Sequence, residues 1–551
     1  MKTGKLKRIF ACLLTAALLS GGMTACQSST TEGDASGDTS SDEIVFSEPG
    51  TYPIANQTIP LKVFVSMSSV TDYDTNTFTL HLEEKTGIDL SFETCTADAA
   101  TEKLNLLLTS GDYPDALFAS VDENRWGEEE GILIDLTPYL DRLPLLQEQV
   151  EKYPNLLSDM KATDGKTYFL PGYDGCFQCN YSGKMWINTM HLEAMGEDIP
   201  TTTDEFYELL KKYKEYDPNG IPMCASKDGW VGDPLSYLAG SFFPYYWDTY
   251  GFQIQDDKVV TYNTMDGYRE CLKYLNKLYA EGLLNADAFT LVNAQIPAIL
   301  TSGNEPIFCF PSGNSQVADL ESNPEIYGHY EAIAPLKGPD GRQTSMYAPI
   351  YPVAAFAVTD KCEYPEAALR LAEVFYDTEE FLNSQLGMKG EFWDTPAEGT
   401  PGIDGEPALF EVLKRSDSGQ QNDHWVYRGI YHWADLRLKE ASPANADLKD
   451  PQYTETLAYQ TSRDLYAPYH PQDADPLPSL KFTVDESTSI QTISVEVQKV
   501  IEEQRAAFVT GAAGPNSDAD WEAYLQSLDN VGLPKMLEVY QAAYDRKMSM
   551  E

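Results

Sequence analysis

The alternation of apolar and polar positions predicts an α/β fold after the first fifty residues. Residues 59–65 have the pattern of a strand, residues 76–85 that of a helix ending at Gly87, and residues 88–92 that of a second strand. A β-α-β unit of about thirty residues is the repeating unit of a parallel sheet. The chain is therefore expected to open its folded part with a parallel sheet.

The same alternation continues through the next segment. A helix carrying Leu104, Leu107 and Leu108 on one face is predicted to end at Gly111 and to lead into a strand over residues 116–119. Asp115 stands at the start of that strand. Polar groups at strand ends in α/β folds often contact ligands, which makes Asp115 a candidate ligand-binding residue.

A further strand and helix are predicted over residues 184–222. Residues 184–188 form the strand, and Thr202 and Glu205 have the spacing of a capping box that opens the helix. Its expected buried face is Phe206, Leu209, Leu210 and Tyr213. The turn at 217–220, Asp-Pro-Asn-Gly, is expected to end it.

Helical periodicity returns in the later part of the chain, and a strand is predicted over residues 353–358. The predicted helices cover residues 267–278, 365–376, 490–508, 521–528 and 533–544. The chain is therefore expected to end in a helical segment.

The first 43 residues have a different composition. Residues 1–25 combine four cations, an apolar run over 9–19 and a small-residue exit, which together are typical of a secretory signal. The apolar run is too short for a bilayer core of about 30 Å. Met23-Thr24-Ala25-Cys26 resembles the lipobox of bacterial lipoproteins, so Cys26 is the predicted lipidation site. Residues 27–43 are rich in Ser, Thr, Gly, Asp and Glu and are predicted to be a flexible tether.

Length and charge limit the function classes. The remaining residues of the 551-residue chain are too many for one core and suit two lobes. A net charge of −47 argues against nucleic acid and other polyanions as partners. Cys176 and Cys179 are the only close cysteine pair in the body. Without a second pair zinc is not expected, while a local disulfide and two free thiols both remain open.

Several runs resemble the extracellular solute-binding proteins of family 1, in particular the long lipoprotein branch of Gram-positive bacteria. The matching runs are residues 104–115, 164–168, 186–188, 200–206, 508–511, 520–521 and 543–546. The resemblance implies a two-lobed, periplasmic-binding-protein-like fold of type II with a ligand cleft between the lobes. It also implies a monomer that delivers an oligosaccharide to the permease subunits of an ABC transporter. Relatives often extend the turn at 217–220 into a calcium loop, but here it passes straight to Ile221, so we expect no metal and no cofactor.

These expectations divide the chain into segments. They are 1–25, the signal peptide; 26–55, the tether; 56–180, the first part of lobe 1; 181–348, the first part of lobe 2; 349–400, the return to lobe 1; and 401–551, the completion of lobe 2 with the C-terminal helices. The expected location is the outer face of the cell membrane.

Aromatic clusters are the candidates for a sugar site, because a sugar ring stacks its C–H face on an aromatic ring. Trp230, Tyr246 and Trp247 lie in a run broken by Gly and Pro, which favours a cleft wall as much as core packing or a loop cover. Tyr347 precedes the strand at 353–358, where the family chain crosses between lobes. Trp425 lies in another aromatic cluster, for which a structural role is equally open. Trp186, in a predicted strand, is a weaker candidate.

Three alternatives to sugar transport stay open: a surface glycosidase, a peptide-binding protein and a binding protein that serves a sensor. A glycosidase needs two carboxylates at about 5–10 Å, and pairs arise by chance among 86 acidic residues. Sequences of the type G-x-S-x-G, H-E-x-x-H and G-x-x-x-x-G-K-[ST] do not occur in the chain. The sequence therefore favours binding without catalysis.

Overall fold

The computed structural model describes residues 43–67, 71–314, 324–414, 422–425, 428–443, 447 and 453–550. The signal peptide, Cys26 and residues 27–42 of the tether lie outside these residues. Residues 45–551 form one compact unit.

Strands predicted from alternation are confirmed, with small shifts of their ends. Within the described residues the strands are β1 Ile59–Met67, β2 Ile88–Thr96, β3 Ala116–Phe118, β4 Leu170–Gly172, β5 Met185–Asn188, β6 Ile221–Met223, β7 Phe252–Gln255, β8 Lys258–Thr261, β9 Ile307–Pro311, β10 Tyr330–Ile333, β11 Val353–Val358, β12 Trp393–Asp394, β13 Glu411–Val412 and β14 Asp475–Pro476.

The helices are likewise given in chain order. They are α1 Thr77–Thr86, α2 Ala100–Ser110, α3 Pro144–Lys152, α4 Asn155–Ser158, α5 Phe177–Asn180, α6 Thr189–Met195, α7 Thr203–Tyr216, α8 Leu235–Leu238, α9 Asp266–Ala280, α10 Ile296–Leu300, α11 Pro324–Tyr327, α12 Pro365–Glu373, α13 Thr378–Leu386, α14 Thr454–Thr461, α15 Val484–Thr510, α16 Asp518–Val531 and α17 Leu533–Met550.

Local sequence chemistry explains where several helices begin and end. Gly87 and Gly111 adopt the left-handed conformation that ends α1 and α2. The Thr202 hydroxyl accepts from the Glu205 N–H, and the Glu205 carboxylate accepts in return from the Thr202 N–H. The predicted capping box is therefore confirmed, and the predicted apolar face of α7 is buried.

The first lobe is built on a five-stranded sheet in the order β2-β1-β3-β11-β4. Strands β1, β2 and β3 are parallel, and β11 is antiparallel to both β3 and β4. Apolar side chains on this sheet, among them Phe64, Leu117 and Ala357, pack against Trp126 and Tyr168 in a hydrophobic core.

The second lobe is built on a four-stranded sheet in the order β10-β5-β9-β6. A three-stranded sheet, β14-β7-β8, and the helices α15 to α17 belong to the same lobe. The core of this lobe contains Phe206 of α7, Leu272 of α9 and Phe508 of α15. The apolar faces of the C-terminal helices thus pack into the core of the second lobe.

The segment 401–441 differs from the expected division, which placed it in the second lobe. Phe410 and Trp433 share a core with Phe381 of α13, and the backbone N–H of Tyr173 donates to the carbonyl of Tyr431. The segment therefore packs on the first lobe, because its apolar side chains face α13.

Two segments carry the chain between the lobes and are called the crossing segments below: residues 173–184, from β4 to β5, and residues 346–352, which lead to β11. A third connection runs from residue 442 to α14 and lies partly outside the described residues. The crossing segments are tied together because Asn180 donates to the Ala348 carbonyl through its side chain, at 2.7 Å, and accepts from the Ala348 N–H.

Candidate functional site

Strand direction, together with the first crossing segment, indicates which edges of the two sheets are joined. The carboxyl ends of β1, β2, β3 and β4 lie on one edge of the first sheet, and β4 continues directly into the first crossing segment. In the second lobe, parallel β6 and β9 end at the edge where antiparallel β5 begins. The cleft therefore lies between two carboxyl edges, which is where α/β sheets bind ligands.

Trp230 lies on the second-lobe edge of this cleft, in the loop that follows β6. Its indole is 42 % exposed and rests against the backbone of Gly313, just beyond the end of β9. A Cβ added to Gly313 would lie 2.3 Å from the Cε3 of Trp230, so only glycine allows the ring to lie this close. The indole is therefore supported on one side by main chain and still accessible to a ligand.

The loop that carries Trp230 is held in a strained conformation. Val231 has φ of +51°, which is an outlier for a β-branched residue. The Ser236 hydroxyl donates to the Val231 carbonyl at 2.6 Å, and the N–H of Gly313 donates to the Trp230 carbonyl at 3.1 Å. Such strain persists only where the surroundings hold it in place, and it concentrates at functional sites.

Aromatic rings also line the junction of the crossing segments. Phe177 lies 5.4 Å from both Tyr181 and Tyr459, measured between ring centroids, and Tyr181 lies 5.4 Å from Tyr347. His470 packs edge-on against Tyr347 at 4.5 Å. Phe177, Tyr347 and Tyr459 are half-buried, so the cluster has both a packed side and an accessible side.

On the first-lobe edge, a charged pair follows β4. The Arg437 guanidinium donates to both oxygens of Asp174, at 2.8 and 3.1 Å. The neighbouring Tyr173 packs against Tyr153 at 5.2 Å. Burial opposes the charge on Arg437, but Asp174 outweighs it and raises the pKa of the guanidinium. The pair therefore fixes this end of the edge.

Exposed carboxylates are distributed along both edges. They are Asp72, Asp74, Asp98 and Asp122 on the first lobe and Asp228 on the second. Carboxylate oxygens accept hydrogen bonds from hydroxyl groups but repel anions. Both edges are consequently acidic and rich in hydrogen-bond acceptors.

The predicted site residues fall into two groups. One group lies at the cleft or at the crossing segments and consists of Trp230, Trp247 and Tyr347. Trp247 is 55 % exposed, and its backbone N–H donates to the Tyr347 carbonyl at 2.9 Å. Their contact with a ligand stays a prediction. Trp186, Tyr246 and Trp425 are buried, and Asp115 is half-buried.

Trp186 and Trp425 are both buried, and a contact with ligand stays a prediction for each. Trp425 is 2 % exposed and packs among Phe78, Phe118 and Phe375 in the first lobe, with its indole N–H donating to Thr79. Trp186 is 1 % exposed, and its indole N–H donates to the Ser312 carbonyl. Trp425 is enclosed by core side chains, whereas Trp186 borders a cavity of about 280 Å³ beside Tyr330.

Asp115 and Tyr246 also stay predictions, and each has a partner within the protein. Asp115 lies at the amino end of β3, on the edge opposite the cleft, and its carboxylate accepts from the Lys62 N–H at 2.8 Å. Tyr246 is buried, and its hydroxyl donates to the Ala474 carbonyl at 2.6 Å. Asp115 therefore joins two strands, and Tyr246 ties the second lobe together.

Sequence reasoning missed Phe177, Tyr459 and the Asp174–Arg437 pair. Phe177 lies between Cys176 and Cys179 in the sequence, and the structure joins these two cysteines as a disulfide. The position of Phe177 in the segment between two strands, β4 and β5, was the available signal. Arg437 and Tyr459 reach the site through long-range packing, for which the sequence gives no local pattern.

Among the residues that the structure describes, no group of three or more His, Cys, Asp or Glu side chains is arranged to hold a metal ion. None of the helices described has the length and apolarity that crossing a membrane requires.

Two α/β lobes, each with its own sheet and core, are joined by the crossing segments. The bacterial extracellular solute-binding protein family matches residues 69–380, which is more than half of the chain. The chain belongs to this family.

Comparisons with known proteins agree with this assignment. The chain is 24 % identical over 539 residues to the fructooligosaccharide ABC transporter substrate-binding protein FusA of Streptococcus pneumoniae, covering 90 % of this chain and 92 % of the relative. FusA solved in complex with kestose is similar in fold, with a TM-score of 0.71 and 20 % identity over 89 % of this chain and all of that one. An extracellular solute-binding protein from Bifidobacterium longum subsp. infantis gives a TM-score of 0.75 at 19 % identity, covering 89 % and 98 % of the two chains.

The solved relatives have two lobes, and the fold class predicted from the sequence is confirmed. FusA is a substrate-binding protein of an ABC transporter and not an enzyme. This agrees with the expectation of a solute-binding protein without catalysis.

Proposed function

We propose that this protein captures a neutral oligosaccharide between its two lobes and delivers it to the permease subunits of an ABC importer. The observation that carries the proposal is the Trp230 indole, supported on Gly313 and accessible at the carboxyl edge of the second lobe. An aromatic face held in this way stacks on the apolar face of a sugar ring. The likeness to a fructooligosaccharide-binding protein supports the same ligand class.

The remaining cleft residues fit this ligand. Carboxylates such as Asp122 and Asp228 accept hydrogen bonds from the sugar hydroxyls, and Phe177 with Tyr459 offers a second aromatic surface near the crossing segments. Closure of the lobes about the crossing segments would remove water from both faces of the sugar.

We further propose that the protein acts at the outer face of the cell membrane, tethered by a lipid on Cys26. Two acyl chains anchor stably where one is marginal, and residues 27–43 would let the receptor reach its permease. Replacement of Cys26 by serine should release the protein into the culture medium. Retention of the serine variant in the membrane would contradict the anchor.

Ligand binding is tested on the Cys26→Ser chain by thermal shift and calorimetry. Ligand that binds only the folded state raises the melting temperature by mass action. The probes are kestose, further neutral oligosaccharides, acidic oligosaccharides and peptides. We expect stabilisation by at least one neutral oligosaccharide and loss of binding in Trp230→Ala. Stabilisation by peptides alone, or hydrolysis of a bound glycan, would overturn the proposal.

A further inference from the structure

Lys184 stands at the end of the first crossing segment, immediately before β5, and is completely buried. Its ammonium donates to the carbonyls of Tyr181 at 2.6 Å, Gln178 at 3.2 Å and Gly313 at 3.4 Å. Among the residues that the structure describes, no carboxylate lies within ion-pair distance of it. The three carbonyls match the three N–H donors of an ammonium group.

The contacts of Lys184 lead directly to Trp230. Gly313, whose carbonyl accepts from Lys184, donates its own N–H to the Trp230 carbonyl at 3.1 Å and supports the Trp230 ring through its Cα. The backbone of Lys184 adds a second tie, because its carbonyl accepts from the Ser312 N–H at 3.0 Å. The Lys184 side chain therefore binds two carbonyls of the crossing segment, those of Gln178 and Tyr181, and the carbonyl of Gly313. Gly313 is the residue on which the indole rests.

A charge on the buried Lys184 side chain lowers the stability of the fold. Burial lowers the pKa of Lys184 to about 7, and the more distant Glu455 opposes this only in part. A buried charge without a carboxylate partner costs free energy unless its donors are satisfied. The three carbonyls are therefore the contacts that hold the Lys184 amine in this position.

We propose that Lys184 is a positioning residue: it holds the Trp230 indole and the Gly313 backbone beneath it (the Trp230 platform) in a fixed place relative to the crossing segments. Its effect on binding rests on the proposed function; its effect on the indole does not. When the lobes close, the platform moves with the crossing segment as one body. The sugar then meets a ring already in position, and less of the binding free energy is lost to ordering the loop.

The indole itself supplies the test. The protein is labelled with 5-fluorotryptophan, and the Trp230 fluorine resonance is identified as the signal lost in Trp230→Phe. In Lys184→Met, we expect that resonance to shift and broaden, while the Trp425 resonance stays in place. Lys184→Arg, which keeps a cation with donors, should restore part of the sharp signal. Kd for the neutral oligosaccharide that binds the parent chain should rise about tenfold or more in Lys184→Met.

Arg370 provides the matched control. It is also a buried cation held by backbone carbonyls, those of Ser47, Glu48 and Thr51, but it lies in the first lobe. Arg370→Met should lower stability and leave the Trp230 resonance unchanged. A Trp230 signal that is unmoved in Lys184→Met, or moved equally in Arg370→Met, would overturn the proposal.

A further variant keeps the test decisive if Lys184→Met does not fold. Lys184→Gln retains two N–H donors without the charge, and it is measured in the same way. An unshifted Trp230 resonance there also overturns the proposal. If the resonance shifts but no oligosaccharide binds the parent chain, the positioning role stands and the proposed function fails.

Discussion

The ammonium of Lys547 lies 2.7 Å from the Oδ1 of Asp159 and joins the last helix, α17, to the first lobe. Lys481 forms a second such contact with Glu123 at 2.8 Å. Between the two, Arg546 donates to both oxygens of Glu486 and to the Lys481 carbonyl. The two lobes are thus connected by charged groups away from the crossing segments, beside a cavity of about 360 Å³.

Loss of the Lys547 contact should weaken this connection. Asp159 is nearly buried, so Lys547→Met leaves its carboxylate with poorer solvation and fewer donors, and we expect the free energy of unfolding to fall by about 1–3 kcal/mol. The exposed pair of Lys212 and Glu197 is the control, since Lys212→Met should cost about 1 kcal/mol or less. Urea unfolding curves measure both variants, and equal losses would contradict the difference in burial.

Trp230 and Trp425 should respond to truncation in opposite ways. Trp230→Ala is expected to raise Kd for an oligosaccharide about tenfold or more with little change in melting temperature. Trp425→Ala should lower stability by about 3–5 kcal/mol, because it empties a packed core. Calorimetric titration and thermal unfolding separate the two effects. A large loss of stability in Trp230→Ala would show that its ring is a packing residue instead.

Trp247→Ala tests a separate surface. The ring is exposed beside the second crossing segment, so its removal should leave stability unchanged within about 0.5 kcal/mol. If the ring contacts ligand, as its neighbourhood with Tyr347 predicts, Kd rises in the same titration. An unchanged Kd would remove Trp247 from the site.

Glu380 makes stability depend on pH. Burial alone would raise the pKa of its carboxyl, but His81 and Lys85 outweigh burial and lower that pKa to about 2. The Glu380 hydrogen bond in turn raises the pKa of His81. Stabilisation from Glu380 is therefore complete above its ordinary pKa of 4.5 and is lost as the pH falls toward 2. Stabilisation from His81 is complete below 6.5 and is lost as the pH rises through its raised value.

Glu380→Gln should accordingly lower the free energy of unfolding most between pH 4.5 and pH 6.5. We expect a difference on the order of 2–3 kcal/mol near pH 5.5, shrinking sharply toward pH 3. Glu379→Gln, which removes an exposed pair with Lys389, should cost less than about 1 kcal/mol at either pH. A difference for Glu380→Gln that stayed constant down to pH 3 would contradict the lowered pKa.

Cysteine reactivity should follow burial. Cys95 is half-buried, whereas Cys224, Cys271, Cys309 and Cys362 are buried, and burial raises the pKa of Cys224 and of Cys362 to about 12. Alkylation of the native protein should therefore label Cys95 first among these five. Cys176 and Cys179 should react only after reduction. Peptide mapping by mass spectrometry reads all of these sites, and labelling of Cys176 without reductant would contradict the disulfide.

Elements with a strong local pattern could be predicted with their ends. The Thr202–Glu205 capping box and the stops at Gly87 and Gly111 depend on hydrogen bonds and φ values within a few residues. The family and fold class followed from runs spread along the chain. The placement of 401–441 on the first lobe did not, because its few short elements have no periodicity of their own and take their position from α13.

The candidate site divides in the same way. The sequence by itself determined that aromatic residues cluster near positions 230, 247, 347 and 425, and that the chain belongs among solute-binding proteins. Only the tertiary structure decided that Trp425 is enclosed while Trp230 is open, and that Lys184 connects Trp230 to the crossing segment. The physical reason is that burial of a side chain depends on residues distant in sequence, such as Phe375 around Trp425 and Gly313 beneath Trp230. Hydrophobic periodicity records which side of an element faces a core, but it carries no information about which two edges meet across a cleft.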